Sequence, residues 1–172
     1  MMVSIMYRNL LENLKEWKDK KVRLPLILKG ARQVGKTWLL IEFAKTCFED
    51  ILYINFENMP NLNELFEGSI EPQRIIDMLS ALNGKKIVPE KTLIIFDEVQ
   101  EIPRALTALK YFAENAPEYP ICCAGSLLGV ALHKGTSFPV GKVEFLTLQP
   151  LSFQEFLKAN KEQELIKFIE KT

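Results

Sequence analysis

The chain has 172 residues, of which 48% are hydrophobic and 26% charged, and this size and composition suit one globular domain with a self-sufficient core. Basic and acidic residues number 22 each, so no net charge attracts the protein to an anionic membrane, and nucleic-acid binding would need a local basic patch. The three cysteines lack disulfide or metal-site spacing, and no secretion signal or apolar membrane span is evident, so we expect a reduced, soluble, cytoplasmic protein.

The N-terminal segment, residues 1–22, predicts an amphipathic helix that leads into the core. Apolar side chains recur near helical spacing among charged ones, at Ile5, Leu10, Leu14 and Trp17. We expect this helix to contribute packing and no chemistry.

Five short apolar runs predict β-strands, and helical patterns separate them. The runs cover residues 24–30, 51–57, 92–98, 121–126 and 142–148. The third run is apolar without interruption, which is typical of a strand buried on both faces of a parallel sheet. Helices are predicted over residues 36–48, 72–83 and 104–115, and from the capping-box pair Ser152 and Glu155. A polar loop is predicted between the second strand and the helix at 72–83. The alternation of strands and helices favours a parallel α/β fold.

A phosphate-binding motif lies between the first strand and its helix. Residues 30–37 have the sequence GARQVGKT, which matches G-x-x-x-x-G-K-[ST]. Gly30 and Gly35 allow a tight loop whose N–H groups point at phosphate oxygens, beside the positive end of a helix. In such a loop Lys36 reaches the β- and γ-phosphates and assists catalysis, while Thr37 supplies a hydroxyl to Mg²⁺. The predicted nucleotide-binding residues are Gly30, Ala31, Arg32, Gln33, Val34, Gly35, Lys36, Thr37 and Trp38.

Two acidic residues end the third predicted strand. Asp97 is in the position of a Walker B aspartate, which holds the magnesium shell together with Thr37. Glu98 follows directly and is positioned to polarise a water for in-line attack, so hydrolysis is the predicted reaction. A solvated acid pair at a strand end is the alternative. Gln100 orients this water or senses the nucleotide, or it is a plain surface residue.

Ser126 ends the fourth predicted strand in the sequence CCAGS. Its hydroxyl could bond the γ-phosphate or the attacking water, although a Gly-Ser pair suits an ordinary strand-to-loop turn equally well. The single histidine, His133, has no nucleophile or metal-ligand pattern around it and is interpreted as a loop residue. Residues 139–144 contain Gly-Lys without P-loop spacing, so we expect only a turn there.

Five segments, in this order, resemble the prokaryotic AAA-type P-loop ATPase family, whose members often carry a C-terminal restriction-endonuclease-like domain. The segments are LILKGARQVGKTWLL, YINFE, TLIIFDEVQ, LKYFAENAPEYPICCAGSLLGV and PVGKVEFLTLQPLSFQEFLKA. The resemblance implies a three-layer α/β P-loop NTPase of the additional-strand type, with strand order 5-1-4-3-2. Ser126 would then lie between the P-loop strand and the Walker B strand as a γ-phosphate sensor and would take part in catalysis. It also implies ATP, Mg²⁺ and hydrolysis coupled to a conformational change.

The resemblance further implies a domain organisation. We expect one ATPase domain over residues 1–172, with a helical lead-in (1–22), a nucleotide-binding core (23–160) and the start of a C-terminal helical region (161–172). The family pattern continues further, so this chain is expected to be the ATPase portion of a longer protein. Its expected partner is a C-terminal domain or a second copy. No arginine finger is assigned, and Arg104 is either a finger acting in trans or an ordinary exposed residue.

Three other nucleotide-dependent functions share part of this pattern. A GTPase would have the x-x-G turn after Asp97, where this chain has Glu-Val-Gln, and a carboxylate at the end of residues 160–163, which read NKEQ. A small-molecule kinase would have little use for Glu98, and neither an acceptor site nor an Arg-rich lid is evident. A nucleotide-gated binding module with incidental turnover is not separated from an ATPase by the sequence.

Overall fold

The computed structural model describes residues 8–126 and 139–170. Its strands are β1 (Leu26–Lys29), β2 (Asp50–Asn55), β3 (Thr92–Asp97), β4 (Ile121–Ala124) and β5 (Glu144–Thr147). Its α-helices are α1 (Leu10–Lys18), α2 (Lys36–Cys47), α3 (Asn63–Glu67), α4 (Pro72–Asn83), α5 (Pro103–Asn115), α6 (Phe153–Ala159) and α7 (Gln163–Glu170). Short 3₁₀ turns lie at Pro60–Leu62 and Val99–Glu101. Within these ranges, no helix combines the length and the apolar character needed to cross a membrane.

The five strands form one parallel sheet in the order β2-β3-β4-β1-β5. Read from the other end, this is the predicted order 5-1-4-3-2, which is confirmed. Strand β4 separates β1 from β3, so the P-loop strand and the acidic strand flank it. Because all strands run in one direction, the residues that follow β1, β3 and β4 meet at the same edge of the sheet.

The sheet is covered by helices on both faces, which gives the three-layer architecture predicted. Along β1, Leu26 and Leu28 pack with α1 and α2, whereas Ile27 packs in the opposite core with α3, α4 and α5. Every residue of β3 is buried. Successive side chains of a strand point to opposite faces, so an unbroken apolar run is what a sheet with two covered faces requires.

The helix boundaries follow local signals in the sequence. Pro72 opens α4, and Gly84 follows its last residue with a φ of 66°, a conformation that glycine adopts at little cost. The Ser152 hydroxyl accepts a bond from the Glu155 N–H at 3.1 Å, and Glu155 Oε2 accepts one from the Ser152 N–H at 2.9 Å. The predicted capping box is therefore confirmed. Helix α1 forms within the predicted lead-in, of which residues 1–7 lie outside the described parts.

The predicted polar loop after β2 is wrong, because helix α3 forms there. Phe66 is fully buried, and its ring lies 5.8 Å from that of Phe56 and 6.2 Å from that of Phe96. A helix of five residues is too short to be stable alone. Its polar sequence gives little local indication of a helix, and the tertiary burial of its aromatic side chain stabilises it.

The cysteines are free thiols, as predicted. Cys122 and Cys123 are buried in β4, one on each face of the sheet, and burial raises the pKa of both thiols. Cys47 is half-buried near the end of α2. Protonated core thiols are poor nucleophiles and poor metal ligands, so they contribute packing.

Candidate functional site

A cleft of about 500 Å³ opens at the carboxyl edge of the sheet. The residues that line it are Arg32, Gln33, Gly35, Lys36, Thr37, Trp38, Glu57, Glu98 and Ser126. The loop after β1, the acid after β3 and the serine after β4 thus meet in one place. Glu57 was not predicted to belong to the site.

The loop between β1 and α2 has a backbone that few residue types tolerate. Gly30 has a φ of 155°, and a Cβ built there would lie 2.5 Å from the carbonyl oxygen of Leu148. Gly35 has a φ of 95°, and Gln33, which is not a glycine, has a φ of 62°. Such conformations cost about 1–3 kcal/mol in a non-glycine residue and concentrate at functional sites. The loop therefore has the tight, strained shape expected of a phosphate cradle.

Helix α2 begins at the cleft with its N-terminal N–H groups open. Gly35 is its N-cap, and no side chain caps the helix there. The first N–H groups of a helix have no partner within the helix, and together they act as a partial positive charge. Gly35, Lys36 and Thr37 all line the cleft. These residues fit an anion such as a phosphate group.

Lys36 bridges the two sides of the loop. Its ammonium donates to the carbonyl oxygens of Gly30 at 2.9 Å and Ala31 at 2.6 Å, and the residue is only 7% exposed. Burial lowers the pKa of Lys36, and the negative charges of Glu98 and Asp97 act in the opposite direction. An ammonium has three N–H donors. With two of them used in the loop, one is left for an incoming anion.

The Asp97 carboxylate accepts hydrogen bonds from three segments of the chain. Its Oδ2 accepts from the Thr37 hydroxyl at 2.6 Å and from the Tyr53 hydroxyl at 2.7 Å. Its Oδ1 accepts from the Glu98 N–H at 3.0 Å. Asp97 is nearly buried at 4% exposure, so these bonds fix the carboxylate in one orientation. The structure thus brings Thr37 and Asp97, the two predicted metal ligands, into direct contact.

Tyr53 is a site residue that the sequence analysis missed. It lies on β2 between Leu52 and Ile54, which pack in the opposite core, so its ring is on the α2 side of the sheet. Burial, followed by the hydrogen bond to Asp97, raises the pKa of Tyr53 to about 12, so the phenol is a donor at neutral pH. The signal in the sequence that could have indicated this residue is the position of Tyr53 in a strand between two buried apolar residues.

The donor atoms around Asp97 suit a hard cation. Among the described residues, no group of three or more His, Cys, Asp or Glu side chains could hold a metal ion. Mg²⁺ binds through one or two carboxylates together with waters and substrate phosphates, and rarely within an all-protein cage. The hydroxyl of Thr37 and the carboxylate of Asp97, next to a phosphate cradle, fit that mode of binding.

Glu98 stands at the cleft with a backbone φ of 51°. Its Oε2 accepts from the Gln100 amide at 2.5 Å and from the Ser126 hydroxyl at 3.4 Å. The Gln100 Oε1 atom is buried and has no hydrogen-bond partner within the described parts of the chain. Glu98, Gln100 and Ser126 thus form one hydrogen-bonded group, and Glu98 and Ser126 both line the cleft.

The family follows from the match of the chain to known domains. A family model described as the AAA domain matches residues 22–157, which is most of the chain. The chain belongs to the AAA domain family. This membership supports the predicted AAA-type P-loop ATPase. The restriction-endonuclease-like domain stays a prediction.

A solved structure shows the same architecture. The AAA domain resembles the Walker-type ATPase PABY2304 of Pyrococcus abyssi, with a TM-score of 0.59 and 18% sequence identity. The match covers 92% of this chain and 57% of that chain, so this chain spans little more than half the length of that protein. At this identity the likeness shows the fold alone. No curated protein sequence matches the chain.

Arg8, which precedes the residues matched by the family model, also contacts the site and was missed by the sequence analysis. It is 3% exposed, and its guanidinium donates to the Val34 carbonyl at 2.9 Å, within the phosphate cradle. It also donates to the Gln149 carbonyl at 2.5 Å and to Glu155 Oε1 at 3.3 Å. A single arginine in an N-terminal helical pattern gives no local signal of this role.

The remaining predicted residues divide into those near the cleft and those away from it. Ala31 is exposed on the loop, and the half-buried Val34 packs against the core beneath α2. The Arg104 guanidinium donates to the carbonyls of Phe66 in α3 and of Gly68, which follows α3, so Arg104 has a structural role within this chain. His133 lies outside the described residues.

The Gly-Lys pair before β5 has no part in the cleft. Gly141 has a φ of 74°, and the Lys142 ammonium pairs with Glu114 at 3.2 Å. The segment turns the chain into β5, in agreement with the sequence analysis.

Proposed function

We propose that the AAA domain binds ATP with Mg²⁺ in the cleft, hydrolyses it, and couples hydrolysis to a conformational change in a larger protein or oligomer. One observation carries the proposal. The Thr37 hydroxyl of the phosphate cradle contacts the Asp97 carboxylate at 2.6 Å, and the acid Glu98 follows at the mouth of the same cleft. This arrangement would bring a phosphate site, a cation site and a general base together in one group of residues.

The phosphate chain of ATP would occupy the cradle. The open N–H groups at the start of α2 would bind phosphate oxygens, and the free donor of Lys36 would reach the β- and γ-phosphates. Thr37 and Asp97 would hold Mg²⁺, which neutralises charge on the phosphates when it is bound. Tyr53 would keep the Asp97 carboxylate oriented for that role.

Glu98 would act as the general base. With its Oε2 held by Gln100 and Ser126, Oε1 is left to accept a proton from a water. The water oxygen then bonds to the γ-phosphorus as the bond to the β,γ-bridging oxygen breaks, giving ADP and inorganic phosphate. Ser126 lies close enough to orient the γ-phosphate or the water.

The positive charge that completes catalysis would come from a partner. Because Arg104 is engaged at the end of α3, we assign an arginine finger to a following domain, such as the expected restriction-endonuclease-like domain, or to a second copy of the chain. The free, buried thiols of Cys122 and Cys123 suit the reducing cytoplasm. The balanced net charge gives no reason to include nucleic acid.

The first test compares nucleotides and metal. We expect ATP to bind at least about tenfold more tightly than GTP, because the sequence offers no carboxylate that would pair with guanine. Leaving the polar groups of a base without hydrogen-bond partners lowers its affinity by about this factor. Mg²⁺ is expected to be needed for turnover, with ADP and phosphate as the only products. Calorimetry and product analysis without an added acceptor check both points. Equal affinities would support a GTPase, and turnover that needs an acceptor would support a kinase.

Replacing Tyr53 with phenylalanine is expected to raise the Mg²⁺ concentration needed for tight ATP binding by about tenfold, the low end of effects for residues that orient a metal ligand. The Asp97 carboxylate would lose one of its two hydroxyl donors and part of its fixed orientation. Nucleotide affinity without metal should not change. Mn²⁺ binding in the presence of ADP, followed by electron paramagnetic resonance, measures the metal site directly.

Tyr119→Phe is the matched control, because Tyr119 is half-buried against the other core and lies before β4, at the opposite edge of the sheet. It should leave Mn²⁺ binding unchanged. If Tyr53→Phe and Tyr119→Phe bind Mn²⁺ equally well, Tyr53 has no part in the metal site.

A further inference from the structure

Arg8 connects three segments that are distant in sequence. Its partners lie in the phosphate cradle (Val34), after β5 (Gln149) and in α6 (Glu155). Glu155 Oε1 also accepts from the Asn9 N–H at 2.9 Å, so the start of α1 is fixed to α6 at two adjacent points. Arg8 is therefore held rigidly where it meets the cradle.

The contact with Val34 determines the orientation of one peptide group. In a trans peptide the carbonyl and the following N–H point in opposite directions, and no described peptide bond is cis. The Arg8 guanidinium binds the Val34 carbonyl, and Arg8 is not among the residues that line the cleft. The Gly35 N–H of the same peptide consequently points away from Arg8, and Gly35 itself lines the cleft.

This peptide needs an external constraint. Gly35 has no Cβ, and glycine adopts positive and negative φ almost equally well. The Val34–Gly35 peptide could therefore rotate at little cost, which would turn a carbonyl oxygen toward the phosphate site. A carbonyl there repels phosphate, whereas an N–H binds it.

The Glu155 carboxylate stays charged at neutral pH. Burial alone raises the pKa of the Glu155 carboxyl, but the N–H groups of Ser152 and Asn9 and the Arg8 charge together hold this pKa below its usual value. A buried carboxylate and a buried guanidinium compensate each other. Arg8 thus stays anchored with a charged donor directed at the cradle.

We infer that Arg8 is a positioning residue for phosphate binding, which keeps the Val34–Gly35 peptide turned so that the Gly35 N–H faces the nucleotide. The inference rests on the proposed binding of ATP in the cleft. Arg8 also links the cradle to α6. The Val34–Gly35 peptide would therefore be held by α6, through Arg8, on one side and by the nucleotide on the other.

The test uses variants of the full chain. Arg8→Met removes the donor, and Arg8→Met with Glu155→Gln also removes the carboxylate that would otherwise be left buried and unpaired. We expect both variants to bind ATP about tenfold more weakly, which is the size of effect that follows the loss of a hydrogen bond from a charged group. In the nucleotide-free protein, the Gly35 amide resonance should shift or broaden in ¹⁵N NMR spectra.

Arg23→Met is the matched control. Arg23 is also buried, and it donates to the Lys18 carbonyl at 3.1 Å and to Glu90 at 2.8 Å, but away from the cradle. This variant should lose stability to urea without losing ATP affinity or moving the Gly35 resonance.

The outcomes separate the inference from the proposed function. If the wild type binds ATP and the double variant binds within about threefold of it, with the Gly35 resonance unchanged, the inference is overturned. Equal losses of affinity in the Arg8 and Arg23 variants would also overturn it, because they would show a general packing effect. If the wild type binds no ATP, the proposed function fails, and the Gly35 resonance alone then decides whether Arg8 orients the peptide.

Discussion

Replacing Lys36 with alanine is expected to weaken ATP binding by at least about 100-fold, because charge-assisted bonds to phosphate are lost. The structure shows a second reason why this variant should bind ATP more weakly. The Lys36 ammonium also ties together the carbonyls of Gly30 and Ala31, so its removal loosens the cradle. No core side chain is removed, and the fold should persist.

Calorimetry of the Lys36→Ala variant with Mg-ATP measures this effect, and circular dichroism reports the fold. Lys45→Ala is the control, since Lys45 is exposed near the other end of α2 and pairs only with the neighbouring Glu42 among the ion pairs of the described residues. Its ATP affinity should equal that of the wild type. An unchanged affinity in Lys36→Ala would remove the P-loop assignment.

Replacing Glu98 with glutamine should leave ATP binding intact and lower turnover by about 100-fold or more, the size expected when a general base is lost. Glutamine keeps the length of the side chain and an oxygen that can accept from Gln100 and Ser126. It cannot take a proton from water. The variant should accumulate in an ATP-bound state, which would favour an oligomer in which one copy lends an arginine to the next.

Single-turnover hydrolysis is the appropriate measurement, because the wild-type chain is itself expected to be slow. A missing arginine finger lowers phosphoryl-transfer rates by about 10³–10⁵. Glu101→Gln is the control, since Glu101 is an exposed acid three residues away in the same turn. If Glu98→Gln hydrolyses ATP as fast as the wild type, Glu98 is not the base, and a nucleotide-gated binding module becomes the better account.

The strand order shows how far local patterns reach. All of β3 and β4 are buried, so the apolar runs predict strands in a covered sheet but carry no information on which strands are neighbours. The order came from the resemblance to a family and is confirmed. The helix α3 was missed because its burial depends on the rings of Phe56, directly after β2, and Phe96, in β3.

The sequence by itself determined the glycine-rich loop after β1 and the two acids at the end of β3. Each is a local motif, in which spacing along the chain sets the geometry: Gly30 to Thr37 form one loop, and Asp97 and Glu98 end one strand. Their assembly into one cleft follows from parallel strands that end at the same edge. Their functional roles stay predictions that the variants above test.

Only the tertiary structure decided the residues that support this site from other elements. Tyr53 lies 44 positions from Asp97, and Arg8 lies 26 positions from Val34 and 147 from Glu155. The pattern around a side chain can indicate which face of a strand it lies on, but it carries no information about a partner at such a separation. Its partner is chosen by strand pairing and by helix packing, and these exist only when the chain is folded.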